Sequence, residues 1–237
     1  MSQNPQPAPP QHLSAYAQAC LQALASNELG DKISLGGAVG LSYYYEYRTT
    51  HDVDAWWQEH TTSQDRQAVL DCLQKALQPF GELHLRNWGD VTSIELIPTG
   101  ETSIAFSFQI AQRSARIAPS VPAPWPENLQ LDSFSDLLAS KTVALVERGA
   151  PRDFRDVYAL CQSGLASPVQ CWQLWKQRQS QSHSDVDSER ARLALQTHLA
   201  RLAVHRPLEQ IADPGERSSA ASLRTWFANE FIDAILD

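Results

Sequence analysis

The chain has no apolar run long enough to cross a membrane. Its opening residues, Met1-Ser2-Gln3-Asn4-Pro5-Gln6-Pro7, lack the basic-then-apolar pattern of a secretion signal. A cytoplasmic protein with no membrane partner is expected. Cysteine is sparse: Cys20, Cys72, Cys161 and Cys171 are scattered with no Cys-x-x-Cys pair, which argues against zinc or dithiol redox chemistry. Each lies in a helix-like apolar pattern, where free cysteine behaves as a small buried hydrophobe. The seven histidines show no His-x-x-x-His spacing, and there is no internal repeat. Positive charge is also short, with a formal net charge of −8. Up to Gln112 there are five basic residues against twelve acidic ones; from Arg113 onward there are fourteen against fifteen, including twelve of the fifteen arginines. An acidic total argues against tight non-specific nucleic-acid binding but leaves room for a local basic face on the second half.

What is present begins with a glycine pair, Ser34-Leu35-Gly36-Gly37, followed at short range by Arg48-Thr49-Thr50-His51-Asp52-Val53-Asp54. Asp52 and Asp54, one residue apart on a strand, point to the same face. A shared face suits Mg²⁺, which takes one or two carboxylates and completes its shell with water and substrate phosphates. Gly36 and Gly37 let backbone N–H groups approach phosphate oxygens without a side chain in the way. Together these parts suggest a nucleotidyltransferase site.

At 237 residues the chain can bury a sizeable core. Residues 1–12, rich in Pro and Gln, are expected to be disordered. Helical spacing of Leu13, Tyr16, Ala17, Cys20, Leu21 and Leu24 leads to a strand at Ile33–Leu35, the glycine turn, a helix through Leu41, Tyr44 and Tyr45, and a second strand from Asp52. A helix over Gln64–Leu77 and three β-rich runs follow, Leu83–Asn87, Thr92–Ile97 and Ser103–Ile110. The proline-rich stretch 118–127 reads as a linker between a core at 13–117 and a helical region at 128–237. In that region Ser133 and Asp136 resemble a helix cap, Gly149 and Pro151 separate two helices, and polar sequence at Gln177–Ser184 separates these from segments at Leu193–Val204 and Leu223–Leu236. The fold class is α+β, a mixed sheet with flanking helices followed by a helical domain.

A second constellation lies in the helical half: Ser140-Lys141-Thr142, then Arg152-Asp153-Phe154-Arg155-Asp156. Asp153 and Asp156, three apart on a helix, share a face. Lys141 is a compact charge suited to a nucleotide phosphate, although helix capping by the aspartates and a solvated lysine explain the same residues structurally. Leu35–Leu41, Arg48 through Asp54, Asp136–Lys141 and Arg148–Tyr158, in this order and spacing, resemble the AbiEii/AbiGii toxin family of nucleotidyltransferases. The resemblance covers Leu35–Leu160. It implies a polymerase-β-like core in which Gly36, Gly37, Arg48, Lys141 and Arg152 bind an NTP. Asp52 and Asp54 would hold Mg²⁺, and Asp52, Asp54, Lys141, Asp153 and Asp156 would carry catalysis, the two groups converging on a cleft. It also implies a toxin of a bacterial toxin–antitoxin or phage-defence system, with a cognate antitoxin and an RNA acceptor such as tRNA.

One part of the pattern is missing. This superfamily usually adds a third carboxylate from a later strand, where the present chain offers only Ala105 and Ser107; Glu95 is the nearest acidic residue on a neighbouring strand. A nucleotide- or partner-binding protein of the same fold with weakened catalysis therefore stands beside the toxin, and the acidic first half, which suits a small polar or cationic substrate, adds a transferase acting on a small hydroxylated compound.

Overall fold

A computed structural model describes residues 5–236; residues 1–4 of the tail expected to be disordered, and Asp237, lie outside the described residues. The chain divides into two compact units, Met1–Leu137 and Leu138–Asp237.

In the first unit the tail has partners from Ala8 onward. The Ala8 N–H donates to the Tyr43 carbonyl (2.7 Å), and those of Gln11 and His12 donate to the Glu46 carboxylate (2.8 Å each). Helix α1 (Ala15–Ser26) starts where the Ser14 hydroxyl accepts the Ala17 N–H, and buries Ala17, Cys20, Leu21 and Leu24, one stripe of the helical period. Strand β1 (Ile33–Leu35) runs through Gly36 into the short helix α2 (Gly37–Ser42), which stops before Tyr44 and Tyr45. Strand β2 (Val53–Trp57) and helix α3 (Ser63–Leu77) follow, the latter opened by a reciprocal capping box between Thr62 and Asp65.

Three longer strands come next, β3 (Gly81–Trp88), β4 (Val91–Pro98) and β5 (Phe106–Ala111). The last is shorter than alternation predicts: its pairing with β4 ends at Leu96 and Phe106, and Ile104 is left half exposed. The proline-rich stretch carries β6 (Val121–Pro122), which pairs with β7 (Gln130–Leu131), so the sheet continues past residue 117. The seven strands are ordered β3-β4-β5-β2-β1-β7-β6. Strands β2 and β5, and β1 and β7, run parallel; the remaining neighbours are antiparallel.

One face of the sheet is core. Val53, Ala55 and Trp57 of β2, Ile94 and Leu96 of β4, and Phe106, Phe108 and Ile110 of β5 join the buried stripes of α1 and α3 in one apolar cluster. Each of the Val, Leu, Ile and Phe side chains in it contributes about 1.5–3 kcal/mol by leaving water. Strand alternation then sends Asp54 and Trp56, Ser93 and Glu95, and Ser107 and Gln109 to the opposite face. The core residues thus fix which way the aspartates point.

The second unit is helical: α4 (Phe134–Glu147) from Leu138 onward, α5 (Pro151–Gln162), α6 (Pro168–Gln181), α7 (Ser188–His205) and α8 (Pro214–Trp226), which passes into a π turn at Phe227–Phe231. Its core is aromatic. Trp172 packs edge-on to Trp175 (5.7 Å) and against Phe231 (5.2 Å), and Phe154 packs edge-on to Phe227 (4.8 Å). The Trp172 indole N–H donates to the Phe231 carbonyl (2.8 Å). The tract Gln177–Ser184, read from composition as a separator, is helical as far as Gln181, because Trp172, Trp175 and Arg178 carry a buried stripe through it. Among the described residues no helix is long and apolar enough to cross a membrane.

Candidate active site

The glycine turn and the first aspartates are assembled by the β1–β2 pairing. Leu35 lies opposite Ala55, and the Gly36 N–H donates to the Asp54 carbonyl (2.8 Å), which brings Asp54 beside the turn. Gly37 has φ +55°, and a Cβ placed on it would lie 2.1 Å from Asp54 Oδ2. The carboxylate therefore fills the space that any other residue's side chain would take. A Cβ on Gly36 would lie 2.4 Å from Trp56 Nε1 and 3.2 Å from Asp132 Oδ2. Both glycines are thus set by close approach, of a carboxylate in one case and an indole in the other.

Asp52 sits just before β2 and is exposed, whereas Asp54 is half-buried. Asp52 Oδ1 accepts both the backbone N–H (2.9 Å) and the hydroxyl (3.0 Å) of Ser107. Strand β5 runs beside β2 with Val53 opposite Phe108 and Asp54 opposite Gln109. Ser107 and Gln109 therefore stand on the aspartates' face, on the strand expected to carry a third carboxylate. Gln109 Nε2 donates to Ser107 Oγ (3.4 Å). Glu95 is in register with Ser107 one strand farther out, and pairs with Arg86 (3.4 Å). Among the described residues no group of three His, Cys, Asp or Glu side chains is disposed to hold a metal. Arg48 donates to the Tyr47 hydroxyl (3.0 Å) and the Thr49 carbonyl (3.3 Å), and lines a small crevice with Ala38, Ser42 and Thr50.

Beside the turn lies a buried polar network that sequence reasoning missed. Asp132 accepts from the Ser34 hydroxyl (2.9 Å) and is ion-paired with Arg113. Arg113 also reaches Asp136 (3.1 Å), and its guanidinium lies 5.0 Å over the Trp56 ring. Asp136 accepts the N–H groups of Ile117 and Ala118 (2.9 Å each) and the Ser133 hydroxyl (2.7 Å). Burial raises the Asp132 carboxyl above its ordinary range, against the opposing pull of Arg113 and the hydrogen bonds. The Tyr44 hydroxyl donates to the Asp132 carbonyl (3.0 Å) and is pushed up to about 12, first by burial and then by the charges of Asp132 and Asp136. The sequence signals for it were confined to Asp136, which pairs with Ser133 as a cap at the start of α4 and opens the Asp136–Lys141 motif.

In the second unit Lys141 and Asp156 are brought together. The lysine Nζ is 2.5 Å from Asp156 Oδ2; Lys141 is 9% exposed and Asp156 fully buried. Asp153 has a different setting. Its two oxygens accept Nε and Nη2 of Arg148 (2.8 Å each), and Oδ2 also accepts the Ala150 N–H (3.1 Å), capping α5. Arg152, in the first turn of α5, is exposed. Gly149 has φ +54°, and a Cβ there would meet the His198 ring at 2.4 Å.

The family model described as "Nucleotidyl transferase AbiEii toxin, Type IV TA system" matches residues 19–229. Among solved structures, JHP933 from Helicobacter pylori is similar with 15% identity, covering 94% of this chain and 93% of that one at a TM-score of 0.54. A second H. pylori protein, provisionally assigned as a nucleotidyltransferase, is similar with 15% identity, covering 93% and 91% at a TM-score of 0.53. At this identity the likeness is one of fold. No curated protein matches the sequence.

Proposed function

The chain belongs to the AbiEii nucleotidyltransferase toxin family of type IV toxin–antitoxin systems, and on that premise we propose that it transfers a nucleoside monophosphate from an NTP to an RNA acceptor, with loss of pyrophosphate. It would do so in the cytoplasm, as a toxin with a cognate antitoxin and a role in phage defence. The observation that supports this chemistry best is the seating of the Asp54 carboxylate against Gly37. A carboxylate and a side-chain-free turn held at one place offer a metal–phosphate pair an anionic oxygen and a close approach to the backbone.

Asp52 and Asp54 fit Mg²⁺ as a donor set: two oxygen ligands on one face, with the remaining positions left to water and phosphate. When bound, the metal would supply neutralisation of the charge that develops on the transferring phosphoryl group. The turn at Gly36 and Gly37 would receive phosphate oxygens, with Arg48 and Arg152 supplying further charge. Lys141 would contact a phosphate with the donors that Asp156 leaves to it, since an ammonium has three. Asp156 would hold that ammonium in place, and Asp153 would fix the helix that carries Asp156.

The test is incubation with each radiolabelled NTP, Mg²⁺ and total cell RNA, followed by a gel. A labelled RNA band is expected from the wild-type protein and none from Asp52→Ala or Asp54→Ala, and growth inhibition on overexpression should vanish with the same substitutions. A double mutant that remains fully toxic would refute catalysis at this site. The presence of Ser107 and Gln109, not a carboxylate, beside the aspartates would then favour the nucleotide- or partner-binding reading. Label appearing on small hydroxylated compounds and not on RNA would reassign the acceptor.

A further inference from the structure

Asp52 lies outside β2, exposed, so its own strand does little to fix its carboxylate. The neighbouring strand does so instead. Ser107 gives Asp52 Oδ1 two donors, its N–H at 2.9 Å and its hydroxyl at 3.0 Å. Ser107 is itself 7% exposed, and its oxygen accepts from Gln109 Nε2 at 3.4 Å. The hydroxyl proton is thereby committed to Asp52, while Gln109 takes up a lone pair. A chain of donors runs along one face, from Gln109 to Ser107 to Asp52. Both donors converge on one oxygen, which limits rotation about Cβ–Cγ.

We propose that Ser107 is a positioning residue for Asp52: standing on the strand expected to carry a third carboxylate, it orients the first one for a divalent cation. This inference rests on the reading of Asp52 as a metal ligand. The physical basis is preorganisation. A flexible exposed carboxylate must be ordered when it takes a cation, whereas one already anchored through its other oxygen is not. The arrangement also predicts a site that depends on its nucleotide, because a hydroxyl replaces a charged ligand and leaves phosphate oxygens to complete the coordination.

Mn²⁺ binding to the full chain, followed by the electron paramagnetic resonance of the free ion in the presence of each α,β-methylene NTP, tests this without turnover. Ser107→Ala keeps the backbone donor and removes the hydroxyl; about 10-fold weaker Mn²⁺ binding is expected. Ser107→Thr, which retains the hydroxyl, should restore it. Should S107A fail to fold, S107C preserves the volume with a weak donor and should show the same direction of loss. Wild-type affinity in S107A, or an equal loss in S107T, would overturn the positioning role. Asp52→Asn separates the two readings. If D52N binds Mn²⁺ as tightly as wild type, Asp52 is not a ligand and the metal reading itself fails. If D52N loses binding while S107A does not, the positioning role alone fails.

Discussion

Replacing Gly37 by alanine separates the two demands made on that residue. The first is conformational: at φ +55° an L side chain costs about 1–2 kcal/mol. The second is steric, because the new Cβ would fall 2.1 Å from Asp54 Oδ2 and 2.8 Å from its Cβ and Cγ. The carboxylate would have to withdraw by more than 1 Å to reach ordinary contact at 3.4 Å or beyond. Gly89 supplies the control, with φ +53° and nothing within 4 Å of the place a methyl would take. Gly89→Ala should therefore show the conformational cost alone, and Gly37→Ala that cost plus roughly 1–3 kcal/mol of overpacking. Misplacing a reacting group by 1 Å is also worth on the order of 10²-fold in rate, so transfer should fall by about that factor in G37A and remain near wild type in G89A. Urea unfolding measures the first effect and labelled-NTP transfer the second. In an Asp54→Ala background the clash with the carboxylate is gone, and the stability difference between the two alanine variants should narrow. Equal behaviour of G37A and G89A in both assays would refute the argument that Asp54 occupies the glycine's side-chain space.

Lys141→Ala removes the ammonium from the buried Asp156 carboxylate and should cost about 1.5–3 kcal/mol in urea unfolding, the range for a hydrogen bond to a charged group; wild-type stability in K141A would contradict the pairing. Transfer by the folded fraction of K141A should fall by about 10²-fold if the lysine meets a phosphate in the transition state. Asp153→Ala should lose about 1–2 kcal/mol through the α5 cap while transfer per folded molecule changes little, as comparison with K141A at equal folded concentration would reveal. Glu46 sets a pH dependence: burial raises its carboxyl, but hydrogen bonds from Gln11 and His12 and the nearby His12 ring outweigh it, so the net shift is downward from the ordinary 4.5. Docking of the tail is then complete above that value and is lost as the pH falls through the depressed one. Amide resonances of Gln11 and His12 should report the loss in wild type and show no such titration in Glu46→Gln; pH-independent resonances in the wild type would contradict it.

Two kinds of information separate what was legible in the sequence from what was not. The glycine pair, the alternating aspartates and most helices are local, since a strand or helix writes its period within a few residues of itself. The alternation of Val53, Ala55 and Trp57 alone settles the face that Asp54 takes. Where local signals failed, a distant partner had decided the matter. The Ser34–Asp132 bond joins residues 98 apart, and Arg113 finds its carboxylates only because β7 pairs with β1 and α4 starts just after it. Nothing in the polar composition of Gln177–Ser184 marks it as helix; its preceding turns are held by Trp172 and Trp175, whose partner Phe231 is 59 residues from Trp172. Asp153 shows the same division within one residue. Its spacing from Asp156 is visible in the sequence, but spacing does not tell which acceptor is already taken. The structure does: Arg148 grips Asp153 through both oxygens while the Lys141 ammonium pairs with Asp156, so the two aspartates have different partners although they occupy one face of one helix.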